Sequence, residues 1–469
     1  MNKGDIPFLS LTQLSDLIRT KEVSPVEVAQ AYLERIDDLD FRFNSYLTVC
    51  RKEALRAARD AEDAIARGAY LGPMHGVPVA VKDQLWSKGV RSTGGSRILS
   101  GFFPEEDATV IANLKGAGAV LLGKTNMTEF AITGFSHRFS YPRNPWDLNT
   151  CPGGSSSGSG AATAAFLCAT SLGEDTSGSL RRPAAWCGLA GMKPGWGRVS
   201  RYGVMPGSWS MDTVGPISRT VEDAAITLGA IAGHDPKDPY TWDTPVPDYR
   251  KALDGNVAGL RVGLITEQVD ADFAEPEVRE AVVAAAGVLG EMGASVEDVS
   301  VPLTRHMLDI SGVQSAVEAA STHREWIRGR LQDYGHDNRI GLLTGSIMPS
   351  RAYYKARKLR TLLRRQILEA LERYDVLVQP TSGMTAPAVR EVDQPPAAEE
   401  PPRVVPFSST AAFSLASTPA ASVPCGFGSN GLPIGLQIAG RPGEEMTVLR
   451  VAHAYEQGTS WHARRPPFA

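Results

Sequence analysis

Gly153-Gly154-Ser155-Ser156-Ser157-Gly158-Ser159-Gly160, an alanine-rich segment at 161–172, and Glu174-Asp175-Thr176-Ser177-Gly178-Ser179-Leu180-Arg181 together decide how this chain is read. Two clusters of hydroxyls and glycines flank the small-residue segment, which predicts a compact helix that sets serines facing one another. Glycine has no Cβ to keep a ligand away from backbone N–H groups. Several such groups converging beside a serine hydroxyl make an oxyanion-binding nest. The competing reading is a flexible Gly/Ser linker. A linker joins self-sufficient domains, whereas this run feeds straight into an apolar segment and meets a second Gly/Ser cluster at short range.

Working outward, Gly76-Val77-Pro78-Val79-Ala80-Val81-Lys82-Asp83 reads as a buried strand that ends on a lysine. A helix at 107–117 and a strand at 119–122 follow, and this alternation predicts an α/β fold. Ahead of it, 11–38 reads as two helices, the second opened by Ser24-Pro25, and 51–67 as a third. Behind it come a helix at 220–233, a Pro- and Asp-rich surface connection at 234–258, a strand at 260–265, a helix at 277–290 and a strand at 294–300. The last part reads as a basic helix at 353–365, a strand at 376–378, a Pro/Glu-rich loop at 387–406, strands at 420–424 and 434–438 around a turn at 428–431, and a helix at 446–456. No composition shift marks a second domain. The expectation is one domain over 1–469, with N-terminal helices at 1–70, a core at 71–220, and the rest of the sheet and the pocket wall at 221–469. Residues 303–350 carry no motif and are expected to shape the substrate pocket.

Several of these strings resemble the amidase signature family. Gly153-Gly154-Ser155-Ser156 and Asp175-Thr176-Ser177-Gly178-Ser179-Leu180-Arg181 match its serine motif, continued by Pro183-Ala184-Ala185-Trp186-Cys187-Gly188-Leu189-Ala190-Gly191-Met192-Lys193-Pro194. The string ending in Lys82-Asp83 matches its lysine motif. Gly123-Lys124-Thr125-Asn126-Met127-Thr128-Glu129-Phe130-Ala131 and Gly431-Leu432-Pro433-Ile434-Gly435-Leu436-Gln437 extend the likeness to nearly the whole chain. The resemblance implies a central mixed, twisted β-sheet covered by helices on both faces. It further implies Ser179 as the acyl-forming nucleophile, Ser155 as a bridging serine 24 residues earlier, Lys82 as the terminal base, and a cis peptide between Gly154 and Ser155. Backbone N–H groups of Thr176, Ser177, Gly178 and Ser179 would form the oxyanion hole, and Ala131 would touch substrate. Ser177 replaces the family's usual glycine and puts the shape of that hole in question.

The chemistry is coherent without the family name. A serine needs a neighbouring base, and lysine serves only when neutral. Bringing its pKa from about 10.4 to about 7 takes roughly 4 kcal/mol of selective destabilisation of the ammonium, which burial supplies. Asp83 need not oppose this, because adjacent strand residues point to opposite faces. Activity is therefore expected to rise with pH toward neutral or alkaline values.

Two other patterns are set aside on context. Gly118-Ala119-Val120-Leu121-Leu122-Gly123-Lys124-Thr125 fits the written phosphate-loop pattern, but a phosphate cradle follows its strand, whereas here a strand fills the middle of the motif. Gly154-Ser155-Ser156-Ser157-Gly158 fits a nucleophile elbow, but the loop-like Asn144-Pro145-Trp146-Asp147-Leu148-Asn149-Thr150-Cys151-Pro152 precedes it where an apolar strand is required. His306, His323, His336 and His453 read as surface or core residues.

Composition narrows the rest. The chain is 42% hydrophobic and 21% charged with a net charge of −4, which suits an ordinary globular protein with no general attraction to nucleic acid or acidic membranes. The basic helix at 353–365 is read as a solvated face. No signal peptide or membrane span is legible. Five scattered cysteines without CxxC or histidine clusters support neither disulfides nor a metal site; Cys151 and Cys187 read as packing residues. The expectation is a cytoplasmic enzyme with no metal or cofactor that acts on a small-molecule amide, a homodimer being left open.

Three functional readings remain. The first is an amide hydrolase. The second is the glutaminase subunit of a tRNA-dependent amidotransferase working with a partner subunit, to which Asn144-Pro145-Trp146-Asp147 and Arg198-Val199-Ser200-Arg201-Tyr202-Gly203 are similar. Arg360 matches that subunit's glutamine-binding arginine. Against it, Phe407 stands where the subunit has an Asp for the glutamine ammonium, and Ser346-Ile347-Met348-Pro349-Ser350 replaces a Gly-Tyr-Tyr-Asp string. An apolar residue leaves a buried ammonium unpaired at a cost of several kcal/mol, so the hydrolase is preferred. The third reading, an inactive binding scaffold, is disfavoured by the presence of all three catalytic side chains. The sequence leaves open which amide is cut (aryl, alkyl, peptide or urea-like) and whether esters are cut as well.

Overall fold

The structure, a computed structural model, describes residues 3–136, 138–389 and 409–469. Among them a single sheet of eleven strands is formed by β1 (Tyr46–Val49), β2 (Pro78–Lys82), β3 (Val120–Thr125), β4 (Thr170–Glu174), β5 (Ala190–Lys193), β6 (Val214–Ser218), β7 (Arg261–Ile265), β8 (Ser295–Val299), β9 (Val376–Pro380), β10 (Ala420–Phe427) and β11 (Pro433–Ala439). Their order across the sheet is β1-β3-β2-β4-β6-β5-β10-β11-β9-β7-β8. Strand β2 runs parallel to both β3 and β4, and β7 runs parallel to both β8 and β9. The pairs in between are antiparallel, so the sheet is mixed.

Helices flank this sheet, and the sequence accounts for their ends. In α1 (Leu11–Arg19) and α2 (Pro25–Phe43), Ser10 and Ser24 each cap the first turn, with Gln13 and Glu27 reaching back to the cap N–H. Next come α3 (Arg51–Ala66), α4 (Thr109–Gly116), α5 (Ser157–Ala164), α6 (Arg181–Cys187) and α7 (Val221–Ile231). After β7 the chain adds α8 (Thr266–Val269) and α9 (Pro276–Glu291). The motif-free stretch at 303–350 is helical, as α10 (Met307–Thr322), α11 (Arg324–Arg330) and α12 (His336–Ile347). The basic helix is longer than predicted, α13 (Ser350–Arg373), with Leu363, Ile367, Ala370 and Leu371 buried. The chain closes with α14 (Ala411–Leu415) and α15 (Glu445–Gln457).

One expectation fails at the centre of the molecule. The segment 161–172 is not one helix: α5 ends at Ala164 and the chain re-enters the sheet as β4. Every residue of β4 is buried between β2 and β6, and pairing on both edges overrides the helix preference of small residues. Strands β1, β5 and β6 were also illegible, being four or five residues long with no alternating pattern. The loop predicted at 387–406 lies mostly outside the described residues.

Candidate functional site

Adjacent parallel strands β2 and β4 end on Lys82 and Glu174, and the serine-rich segment folds over those ends. In open α/β sheets this carboxyl end is where ligands bind. The segment is fastened there by its own hydroxyls, unlike a linker. Ser159 Oγ lies 2.7 Å from Thr125 Oγ1 of β3 and donates to Leu172 O of β4 at 3.1 Å. Ser156 Oγ donates to Glu174 O at 3.1 Å and accepts from Glu174 N at 3.3 Å. Two glycines permit the approach: a Cβ at Gly158 would fall 2.3 Å from Ser45 O, and one at Gly173 would fall 2.7 Å from Ser156 Oγ.

Lys82 is fully buried, and its Nζ has three neighbours: Ser155 Oγ at 2.7 Å, Glu174 Oε2 at 3.1 Å and Glu174 O at 3.3 Å. The peptide between Gly154 and Ser155 is cis. Ser179 joins the same loop through Ser156 N–H, which donates to Ser179 O at 3.3 Å. Burial lowers the Lys82 pKa, opposed by Glu174. Burial pushes Glu174 up to about 7, Lys82 holding it back and Asp212 adding to the rise. Asp83 faces away, accepting from Thr93 N at 2.7 Å and pairing with Lys124 at 4.0 Å. Lys124 is itself enclosed, donating to Ser92 Oγ at 2.7 Å and to Leu85 O, which leaves it no phosphate to meet.

The turn after β4 is held by a second buried pair. Arg181 Nε and NH2 donate to Asp175 at 2.9 and 2.8 Å, and NH1 donates to Thr410 O and Gln437 Oε1. Asp175 also accepts from Gly178 N at 2.6 Å and Leu180 N at 3.1 Å. Burial alone would raise its carboxyl, but the Arg181 charge and these hydrogen bonds hold it well below the usual carboxylate range. One expected oxyanion donor is thereby corrected: the Gly178 N–H is consumed by Asp175. The N–H groups of Thr176, Ser177 and Ser179 have no acceptor among the described residues.

The remaining wall comes from two loops. Phe130 and Ala131 both adopt left-handed backbone, φ 53° and 59°, which costs non-glycine residues about 1–2 kcal/mol each. A Cβ placed at Gly207 would lie 3.2 Å from Thr176 Oγ1 and 3.6 Å from both Ala131 Cβ and Asp212 Oδ1, so these three groups surround one point. Thr128 N–H donates to Ser155 O at 3.2 Å and ties this wall to the serine loop.

Glu174 and Asp212 escaped sequence reasoning. Glu174 is the last residue of β4, Thr170-Ser171-Leu172-Gly173-Glu174, whose small and polar residues gave no strand signal; a second acid beside it was the one available signal. Asp212 lay in Ser210-Met211-Asp212-Thr213, read as architectural. Arg360 lies on the same side as Ser210, and all five of its N–H groups have internal acceptors: Leu415 O, Ser210 Oγ and O, Gln314 Oε1 and Ser417 Oγ. Phe407 is outside the described residues. Cys151 and Cys187 are free thiols whose Sγ atoms contact Gly153 O and Pro152 O; burial raises both pKa values.

The model of the Amidase family matches residues 27–449. A glutamyl-tRNA(Gln) amidotransferase subunit from Moorella thermoacetica is 43% identical, over 98% of this chain and 99% of its own. A solved structure described as a vestigial protein complex bearing on the origins of an s-triazine catabolic enzyme superposes with TM-score 0.89 at 33% identity, covering 96% of this chain and 98% of its own. A peptide amidase from Stenotrophomonas maltophilia superposes with TM-score 0.83 at 33% identity, covering 98% of both chains.

Proposed function

Because the chain belongs to the amidase family, we propose that it hydrolyses the C–N bond of a small-molecule amide through an acyl-enzyme on Ser179. The observation that carries this reading is the buried Lys82 Nζ, 2.7 Å from Ser155 Oγ, beneath the loop that holds Ser179. Neutral Lys82 takes the Ser155 proton as Ser155 takes that of Ser179. The Ser179 oxygen then bonds to the amide carbon, and the carbonyl electron pair moves onto oxygen. The N–H groups of Thr176, Ser177 and Ser179, without acceptors among the described residues, receive that oxyanion in a buried site, where such donors are worth most. Return of the proton through Ser155 to nitrogen releases ammonia or an amine as the C–N bond breaks. Water, activated by the same relay, then clears the acyl group. Five unpaired cysteines support a reducing compartment such as the cytoplasm.

A second reading is favoured by the 43% identity to the Moorella amidotransferase subunit: a glutaminase that supplies ammonia within an amidotransferase. The same relay would serve it. Arg360 weighs against it, since binding a glutamine carboxylate there would break hydrogen bonds that now use every donor.

The two readings separate on the purified chain alone. Ammonia or amine release is measured over a panel of aryl, alkyl, peptide and urea-like amides with glutamine included. Robust turnover of simple amides with glutamine inert supports the hydrolase, and glutamine as the preferred substrate overturns it. On the best amide, Ser179→Ala should lose more than about a thousandfold in kcat and Lys82→Ala about a hundredfold to ten-thousandfold. Because the lysine must be uncharged, kcat/KM should rise with pH and then level. A flat profile from pH 6 to 9 together with intact activity in Lys82→Ala would remove Lys82 from the mechanism.

A further inference from the structure

Thr176 Oγ1 stands between two buried carboxyl groups, 2.9 Å from Glu174 Oε1 and 2.7 Å from Asp212 Oδ1. A hydroxyl has one proton, so it donates to one of them only. Were both carboxyls ionised, the other contact would set lone pair against lone pair inside the protein. One carboxyl must therefore carry a proton and donate it to Thr176. Asp212 is unsuited to that role, because both its oxygens already accept backbone N–H: Oδ1 from Ser208 at 2.8 Å, Oδ2 from Gly207 at 2.8 Å and Ser208 at 3.0 Å. Glu174 Oε1 has no other partner among the described residues.

We propose that Glu174 is a protonated carboxyl that donates to Thr176 and holds Lys82 as the neutral amine facing Ser155, acting as a positioning residue for acyl transfer. The directions of the remaining bonds agree. A neutral amine has two N–H donors and one lone pair. Two of the three atoms around Lys82 Nζ, Glu174 O and Glu174 Oε2, are then pure acceptors. Both N–H groups go to them, and the lone pair is left for Ser155 Oγ–H at 2.7 Å. One unbroken chain results, Ser155 to Lys82 to Glu174 to Thr176 to Asp212, in which every polar hydrogen has an acceptor. An ammonium–carboxylate pair has the same net charge but places two charges in a buried site, and desolvating both is costly.

The groups facing Glu174 are Lys82, Thr176, Asp212 and Ser156, while Asp175 is turned to Arg181. Burial pushes the Glu174 carboxyl up to about 7, in keeping with a proton held there.

This inference rests on Lys82 being the base, and its first test needs no turnover. Infrared difference spectra of the resting protein at pH 6, wild type against Glu174→Gln, should show a carboxylic acid C=O band lost in the variant. Carboxylate bands alone would overturn the proposal. Failure of the base itself would appear elsewhere, as turnover surviving in Lys82→Ala.

The kinetic test compares substitutions. A glutamine amide donates to Thr176 and accepts from Lys82, copying the protonated acid but not the ionised one. Glu174→Ala should lose about a hundredfold in kcat, and Glu174→Gln should recover most of it, to within about tenfold of wild type. In Thr176→Val the Glu174 proton has no acceptor, so Lys82 is driven toward ammonium and the acid limb of kcat/KM moves to higher pH. Glu174→Gln as slow as Glu174→Ala, or an unmoved limb in Thr176→Val, would count against the proposal.

Discussion

Glu174 and Asp175 are neighbours in sequence, equally buried, and each has one cation beside it, yet their carboxyls behave in opposite ways. Asp175 faces a guanidinium fork and receives the N–H groups of Gly178 and Leu180 as well. Glu174 has one amine and one hydroxyl. Both lose the same hydration on burial. What differs is how many donors replace it: enough at Asp175 to hold the charge far more firmly than water does, too few at Glu174 to keep it. The first pair fixes the turn that presents Ser179. The second has a proton it can move.

Removing the cation from each pair tests that contrast most strongly. Arg181→Met leaves Asp175 ionised and uncompensated in the core, and should cost about 3–5 kcal/mol of stability. Lys82→Met leaves a carboxyl that can remain protonated, so its cost should be nearer the about 1–3 kcal/mol of an unmet hydrogen bond. Urea unfolding of the two variants at pH 7 gives the comparison directly. Equal losses would mean that Glu174 depends on its cation as Asp175 does.

Much of this was legible in the residues. The apolar run closing on Lys82 gave its strand and its burial together, because a central parallel strand is hydrophobic throughout. The start of α2 was readable at Ser24-Pro25, since the N-cap chemistry is local. What failed depended on distant partners. Strand β4 owes its form to β2 and β6, which lie far from it in sequence, so its small residues gave no strand signal. Gly178 looked free as an oxyanion donor because nothing local says that Asp175 turns back to take its N–H. Glu174 and Asp212 are 38 residues apart and meet through Thr176 alone, a junction no spacing rule announces.

The subtlest difference between the neighbours lies in how stability responds to pH. Burial pushes the folded Glu174 carboxyl up to about 7, whereas an unfolded glutamate ionises at about 4.3. Between those values the folded chain keeps a proton that the unfolded chain has released, so this residue makes stability fall as pH rises. Replacing it by glutamine removes that trend. The stability of Glu174→Gln relative to wild type should climb from about pH 4.5 to 7, by at most about 1.4 kcal/mol per unit, and level off above. Asp175 is held well below the usual range when folded and ionises at about 3.9 when unfolded, so both states are charged throughout the same window. Asp175→Asn should therefore show a large loss that does not vary with pH there. Urea titrations of both variants at pH 5, 6, 7 and 8 read the two slopes side by side. A slope at Asp175, or none at Glu174, would mean that donor number is not what sets these neighbours apart.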